Sequence, residues 1–303
     1  MPPQGRSAQT CGTGLLFLLV IGAVQAGPAV FDDAGRTIEL DRPATRIVSL
    51  APHATEQLFT AGAGDALVGT VQWSDYPDAA RDVPRVGDTW NLDLERIAAL
   101  EPDLIVAWRS GNQPAAVERL AALGFAVFLS EPVSLEEIGG GIRRLGVLAG
   151  TEAGAARAEA EFLGRLARLR AEYSGRRPLR VFYQIWHEPT YTVNREHLIS
   201  RIIELCGGTN VFAGLDALSP RIGIEAVLES DPEVIVASGA DASRPEWLDY
   251  WRNWPELAAV HDGQLHYIPP DLIQRHTARI LDGAEAMCRI LDGTRTRRAQ
   301  AGK

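Results

Sequence analysis

Residues 92–108 read LDLERIAALEPDLIVAW and residues 222–238 read IGIEAVLESDPEVIVAS; they align without a gap at an offset of 130. Leu92, Leu94 and Ile97 stand opposite Ile222, Ile224 and Val227; Glu95 matches Glu225, Pro102 matches Pro232, and Ile105-Val106-Ala107 matches Ile235-Val236-Ala237. Each copy predicts a short helix, a proline that stops it, and an unbroken apolar strand of the kind covered on both faces in a parallel sheet. A fainter echo precedes each copy. Arg46-Ile47-Val48-Ser49-Leu50 opens one half and Arg180-Val181-Phe182-Tyr183-Gln184 the other. A helical stretch and a Gly-rich break follow each, Ala61-Gly62-Ala63-Gly64 and Cys206-Gly207-Gly208. The period is too long for a solenoid. It predicts an α/β chain of two Rossmann-like lobes, each a small, mostly parallel sheet flanked by helices.

Between the halves, Thr151 to Tyr173 is rich in Ala, Glu, Arg and Leu and holds no proline. Phe162, Leu166 and Leu169 recur at helical spacing, Thr151 is placed to cap the start, and Gly175 and Pro178 end the run. About 23 helical residues span roughly 35 Å, enough to bridge two lobes and to limit their relative motion. The expected division is an N-terminal lobe over 27–150, a bridging helix over 151–175, a C-terminal lobe over 176–296 and a tail over 297–303.

Residues 1–26 read as a leader. Arg6 is the only charge, Leu15 to Val24 form a short apolar run, and Val24-Gln25-Ala26 offers small residues to a signal peptidase. Ten apolar residues are about half of what a membrane span needs. Export to the periplasm, with cleavage near Ala26, is the expectation. Cys11 leaves with the leader, and Cys206 and Cys288 remain. In an oxidising compartment such a pair tends to bridge, two separate buried thiols being the alternative. With 30 Lys+Arg against 39 Asp+Glu, the net charge of −9 gives no electrostatic reason to bind nucleic acid or an anionic membrane.

Catalytic signatures are missing. There is no P-loop, no G-x-S-x-G elbow and no H-E-x-x-H, and Gly139-Gly140-Gly141-Ile142-Arg143-Arg144 lacks the last glycine of a dinucleotide loop. The six histidines form no ligand cluster by spacing. His53 and His187 each follow a strand, where a zinc or manganese receptor would put its ligands. The blander reading is a solvated or hydrogen-bonded histidine, and no metal or cofactor is expected. Aromatics carry more weight. Trp73, Trp108, Trp186 and Tyr191 lie at or just beyond predicted strand ends, where open parallel sheets bind ligands, and Trp90 lies in a loop before the first repeat helix. Such rings suit a large, rigid, partly apolar guest. Trp247, Trp251 and Trp254 look like a helical packing stripe, with Trp251 placed nearest the cleft. After the strand Leu265–Ile268, the loop Pro269 to Arg275 offers polar groups to amides or a phosphate. Two classes remain open here: a receptor that carries a ligand, and a secreted or cofactor-dependent α/β enzyme.

Arg46-Ile47-Val48-Ser49-Leu50-Ala51-Pro52, Thr55-Glu56, Ser74-Asp75-Tyr76-Pro77 and residues 92–112 together resemble the periplasmic iron-chelate and cobalamin substrate-binding proteins of ABC transporters. The resemblance runs from about residue 44 to 292 and is closest to the cobalamin branch. It implies two lobes on a rigid helix, a corrinoid held between them, no enzymatic activity, a monomer when free, and delivery to a permease dimer. By position, Trp73, Trp90, Trp186, Tyr191 and Trp251 would be corrinoid contacts, as would Asp271, Leu272, Ile273, Gln274 and Arg275. It also implies a Cys206–Cys288 disulfide. Trp73 replaces a tyrosine of the relatives, and Leu272 and Ile273 replace aromatics. These departures leave haem or a ferric siderophore as the alternative cargo, with a bare metal ion behind them.

Glu95 and Glu225 need no family knowledge. An acid near a helix N-terminus is favoured by about 0.3–1 kcal/mol, which explains either residue alone. Its retention in both halves matches a twofold partner with cationic pockets, and the resemblance implies that partner is the permease.

Overall fold

The computed structural model describes residues 27–239 and 243–301; the expected leader lies outside them. The chain opens on an antiparallel hairpin, β1 (Ala29–Phe31) with β2 (Thr37–Glu39). The first lobe follows as β3 (Ile47–Ser49), α1 (Pro52–Thr60), β4 (Leu67–Thr70), α2 (Leu94–Ala99), β5 (Leu104–Trp108), α3 (Pro114–Ala122), β6 (Val127–Ser130) and α4 (Leu135–Ala149). Helix α5 (Glu152–Tyr173) leads to the second lobe: β7 (Leu179–Gln184), α6 (Leu198–Leu205), β8 (Gly208–Asn210), α7 (Ile224–Ser230), β9 (Val234–Ala237), α8 (Ala258–His261), β10 (Leu265–Tyr267), α9 (Pro270–Ile273) and α10 (Ile280–Ala301).

Both sheets are wholly parallel, with strand orders β4-β3-β5-β6 and β8-β7-β9-β10. Each lobe therefore runs second-first-third-fourth, and the repeat read in two segments extends to the whole topology. The strand order reverses between β3 and β5 and between β7 and β9, so both lobes put their switch point at the middle of the sheet.

Alternate strand residues serve two cores. Ile47, Leu104 and Val106 from one sheet, and Val181, Tyr183, Val234 and Val236 from the other, enter one cluster that runs through both lobes. Val48, Ile105 and Ala107 face a core private to the first lobe; Phe182, Ile235 and Ala237 face one private to the second. Period-2 alternation with apolar residues on both sides gives this arrangement directly. Phe162, Leu166, Leu169 and Tyr173 of α5 pack into the shared core. Polar grips add to it, with Arg165 reaching Asp282 (2.5 Å) and Glu285 (2.7 Å) on α10.

Two local expectations change. Thr151 makes no cap to α5; its Oγ1 donates to the Ala61 carbonyl (2.7 Å), tying the bridge to the end of α1. The tail expected from 297 is continuous with α10, where Arg298 donates to Asp262 (2.9 Å) and also pairs with Glu233. The Cys206–Cys288 disulfide is formed, joining the end of α6 to α10 across a separation of 82 residues.

Candidate ligand cleft

Segments that follow the strands of the two lobes meet one another. Beyond β4, Asp75 pairs with Arg275, which follows α9 (2.9 Å). Beyond β3, His53 lies 5.3 Å from Trp108 of β5 and 6.0 Å from His276 of the other lobe, ring to ring. Beyond β6, Glu131 to Val133 share a cavity of about 440 Å³ with His197, Arg201 and His276.

On the first lobe, Trp73 is 74% exposed and Trp90 63% exposed. Neither is loose. Trp73 has φ +66°, a left-handed conformation that costs a non-glycine residue about 1 kcal/mol. Its neighbour Ser74 is buried and bonds the Thr55 hydroxyl (3.1 Å), while the Arg85 guanidinium donates to the Ser74 carbonyl (2.8 Å). Trp90 sits on a turn closed by Asp88, whose carboxylate accepts from the N–H of Trp90 (2.8 Å) and of Asn91 (2.7 Å). Gly87 has φ +112°, and a Cβ there would strike the Asn91 carbonyl. Asn112 spans the carbonyls of Leu50 and Thr89 (2.9 Å each), stapling that turn to the end of β3.

On the second lobe, Trp186 is 46% exposed and bridges to Tyr191, which is half-buried and bridges in turn to Arg221. Trp251 does not join them. It is 2% exposed, stands edge-on to Phe182 at 5.6 Å, and its Nε1 donates to Gln184 Oε1 (2.8 Å). Gln184 Nε2 donates onward to the Trp186 carbonyl (3.2 Å). Trp251 thus supports Trp186 from inside the lobe core. Trp247, partly buried against the same core, stacks on His187 (5.4 Å, 2°) and borders a cavity of about 390 Å³ with Trp186, His187 and Pro245.

The last loop is only partly available. Asp271 is half-exposed, and Leu272 is partly buried against the shared core. Ile273 is wholly inside that core, because one turn of helix points it inward, so it presents nothing to a guest. Gln274 is half-buried. Arg275 joins Asp75 and Asp271 (3.0 Å) in an ion-paired floor. Beside it, Arg279 grips the buried Glu56 through two 2.7 Å bonds and lies 3.7 Å over the Tyr76 ring. Gln57 donates to the His276 carbonyl (2.6 Å). Spacing gave no signal for the contacts between lobes, whose partners lie 200 or more residues apart.

Burial sets the charge of this floor. It holds His53 down to about 3, helped by the charges of His276 and Arg275. It likewise lowers His197 and His276 to about 4. All three are neutral at pH 7. Among the described residues, no group of three or more His, Cys, Asp or Glu could hold a metal ion, and no helix is long and apolar enough to cross a membrane.

The acids repeat as the sequence does. Glu95 and Glu225 are both exposed in the first turns of α2 and α7. Residues 91–100 and 221–230 share the same pattern of burial at every position but one.

The family model described as periplasmic binding protein matches residues 47–272. A vitamin B12-binding protein of Vibrio cholerae is 38% identical over 250 residues, covering 82% of this chain and 90% of that one. One from Yersinia pestis is 34% identical over 245 residues, covering 81% and 85%. A crystal structure of a periplasmic vitamin B12-binding protein from Vibrio cholerae superposes with a TM-score of 0.77 at 37% identity, covering 84% of this chain and 98% of that one. A periplasmic heme-binding protein superposes with a TM-score of 0.73 at 20% identity, covering 82% and 98%, a likeness of fold alone. Two lobes of one topology, a bridging helix packed into both, and a match over most of the length agree: the chain belongs to the periplasmic binding protein family.

Proposed function

We propose that this chain captures cobalamin between its lobes and hands it, chemically unaltered, to the permease dimer of an ABC importer. The observation that carries the reading is the strong exposure of Trp73 and Trp90, whose loops are nonetheless pinned by hydrogen bonds, the buried ones made at Ser74 and Asn112. Exposed apolar rings on rigid loops cost solvation unless something covers them. A corrinoid is flat, rigid and edged with amides. Trp73 and Trp90 from one side, with Trp186, Tyr191 and Trp247 from the other, offer it flat apolar faces. Asp271, Gln274 and Arg275 offer its amides hydrogen bonds. The vitamin B12-binding relatives at 34–38% identity support this choice of cargo. Glu95 and Glu225 dock on the two halves of the permease. As exposed charges they add about 0–1 kcal/mol each and orient the complex more than they tighten it. The protein works in the periplasm as a monomer when free, after cleavage near Ala26, and its ligand is cargo rather than a resident cofactor.

Titration of the mature protein with cyanocobalamin, haem and a ferric siderophore, read by tryptophan fluorescence, tests the cargo. Cyanocobalamin should bind tightest and be recovered unchanged after gel filtration. Equal or tighter binding of either rival would overturn the assignment. For docking, Glu95→Ala with Glu225→Ala should abolish cellular uptake of labelled cyanocobalamin while sparing its affinity for the purified protein.

A further inference from the structure

We propose that Arg46 and Arg180 are a matched pair of positioning residues that aim the two docking acids, each by clamping the far end of the helix that carries its acid. The proposal rests on the docking reading above. Arg46 lies just before β3; its Nε and Nη2 donate to the Leu100 carbonyl (2.9 and 2.5 Å), and its Nε also reaches the Glu101 carbonyl (3.3 Å). Those carbonyls end α2. Arg180 lies in β7, and its Nε and Nη2 donate to the Asp231 carbonyl (3.0 and 2.8 Å), which ends α7.

The match continues around each clamp. Asp103 accepts from the Arg46 N–H (2.7 Å) and returns a bond from its own N–H to the Arg46 carbonyl (2.9 Å). Glu233, 130 residues on, does the same with Arg180 (2.8 Å in both directions). The residues turning out of the helices, Glu101 and Asp231, are also 130 apart, and both hold left-handed backbones with φ +44° and +39°. A side chain pays about 1 kcal/mol for that conformation, yet both lobes keep it. It is what presents the terminal carbonyls to the arginine.

Stability alone does not account for the pair. Both arginines are exposed, and a cation at an exposed helix C-terminus contributes about 0.3–1 kcal/mol. Aim is a stronger reason. Helices of six and seven residues do not hold a direction unaided. Each has one fully buried side chain, Ile97 in α2 and Val227 in α7, with Leu94 and Ile224 partly buried beside them, so the C-terminal end is where a further anchor sets direction. Glu95 lies roughly 8 Å along the axis from Leu100 at about 1.5 Å per residue. A 20° swing would carry the carboxylate on the order of 3 Å, the length of a hydrogen bond. A twofold partner tests the spacing of two acids at once, so both ends need fixing.

The test is Arg46→Met and Arg180→Met, singly and together, against Glu95→Ala with Glu225→Ala as reference. Purified variants should bind cyanocobalamin within twofold of the parent. Uptake of labelled cyanocobalamin, by cells carrying only the variant gene, should fall by at least fivefold in the double variant and by similar smaller factors in the singles. Parental uptake in the double variant, with the acid pair abolishing uptake, would overturn the clamps and leave docking intact. Parental uptake in the acid pair would overturn the docking reading itself. Amide hydrogen exchange on the singles serves if the double variant fails to fold. Arg46→Met should speed exchange in residues 94–101 and leave 224–231 unchanged, with the converse for Arg180→Met; unchanged protection in both would refute the proposal.

Discussion

Trp247 and Trp251 lie four residues apart and differ in burial, Trp251 inside the second lobe's core and Trp247 half-buried at its edge. Read with a 3.6-residue period, Trp247, Trp251 and Trp254 form one stripe. The segment Glu246–Asn253 is a 3-10 helix, with about three residues per turn. Leu248 and Trp251 therefore share the inward face, while Trp247 and Trp254 pack against that core from its edge and Trp247 also borders the cavity beside Trp186. Trp251→Ala should cost about 3–5 kcal/mol of stability, the usual penalty for emptying a core aromatic site. Trp247→Ala should cost under about 1 kcal/mol and weaken cyanocobalamin binding by roughly tenfold, the worth of one aromatic face. Urea unfolding and fluorescence titration separate the two; equal destabilisation by both would refute the assignment. Trp73 and Trp186 each follow a strand whose direction the sequence makes clear, and Trp90 lies in the loop before α2. Which side of a 3-10 turn faces in was not legible.

At the scale of elements, the long signals read well. The bridging helix ends at Tyr173, and the repeat helices start at the same offset as their sequences and stop within one residue of it. What the sequence did not carry is the joint between α1, the Trp73 loop and the segment from α9 to α10. There, Glu56 is buried and pairs with Arg279 from the opposite lobe. Burying a carboxylate is costly unless it is paired and fully bonded. Arg279→Met should therefore destabilise the protein by about 3–5 kcal/mol, because Glu56 stays behind unpaired. Adding Glu56→Leu should recover most of that loss, since an apolar pair carries no desolvation penalty. Chemical unfolding of the single and double variants checks both; a double variant no better than the single would mean that the Tyr76 contact, rather than the ion pair, holds the joint.

For the whole molecule, the shared core makes two lobes one folding unit, and three neutral histidines sit on the seam. His53 comes from the first lobe and His276 from the second, with His197 at the start of α6 beyond them. The charged groups facing them are Arg275 beside His53, with Glu131, Glu196 and Arg201 around the cavity that His197 and His276 border. Burial lowers all three in the folded state, to about 3 for His53 and about 4 for the other two, whereas the unfolded chain titrates near 6.5. Below pH 6.5 the unfolded state takes up protons that the folded state refuses, so stability must fall as the pH falls toward 4. At pH 5 each histidine forfeits on the order of 2 kcal/mol. Asp75 adds to the loss at lower pH. Burial alone would raise its pKa, but the Arg275 hydrogen bond and charge hold it below the ordinary carboxylate range. Thermal unfolding should show a midpoint that is flat above pH 7 and drops steadily from pH 6.5 to 4.5. His53→Phe, His197→Gln and His276→Gln together should flatten that slope, whereas an unchanged slope in the triple variant would place the acid sensitivity away from the seam.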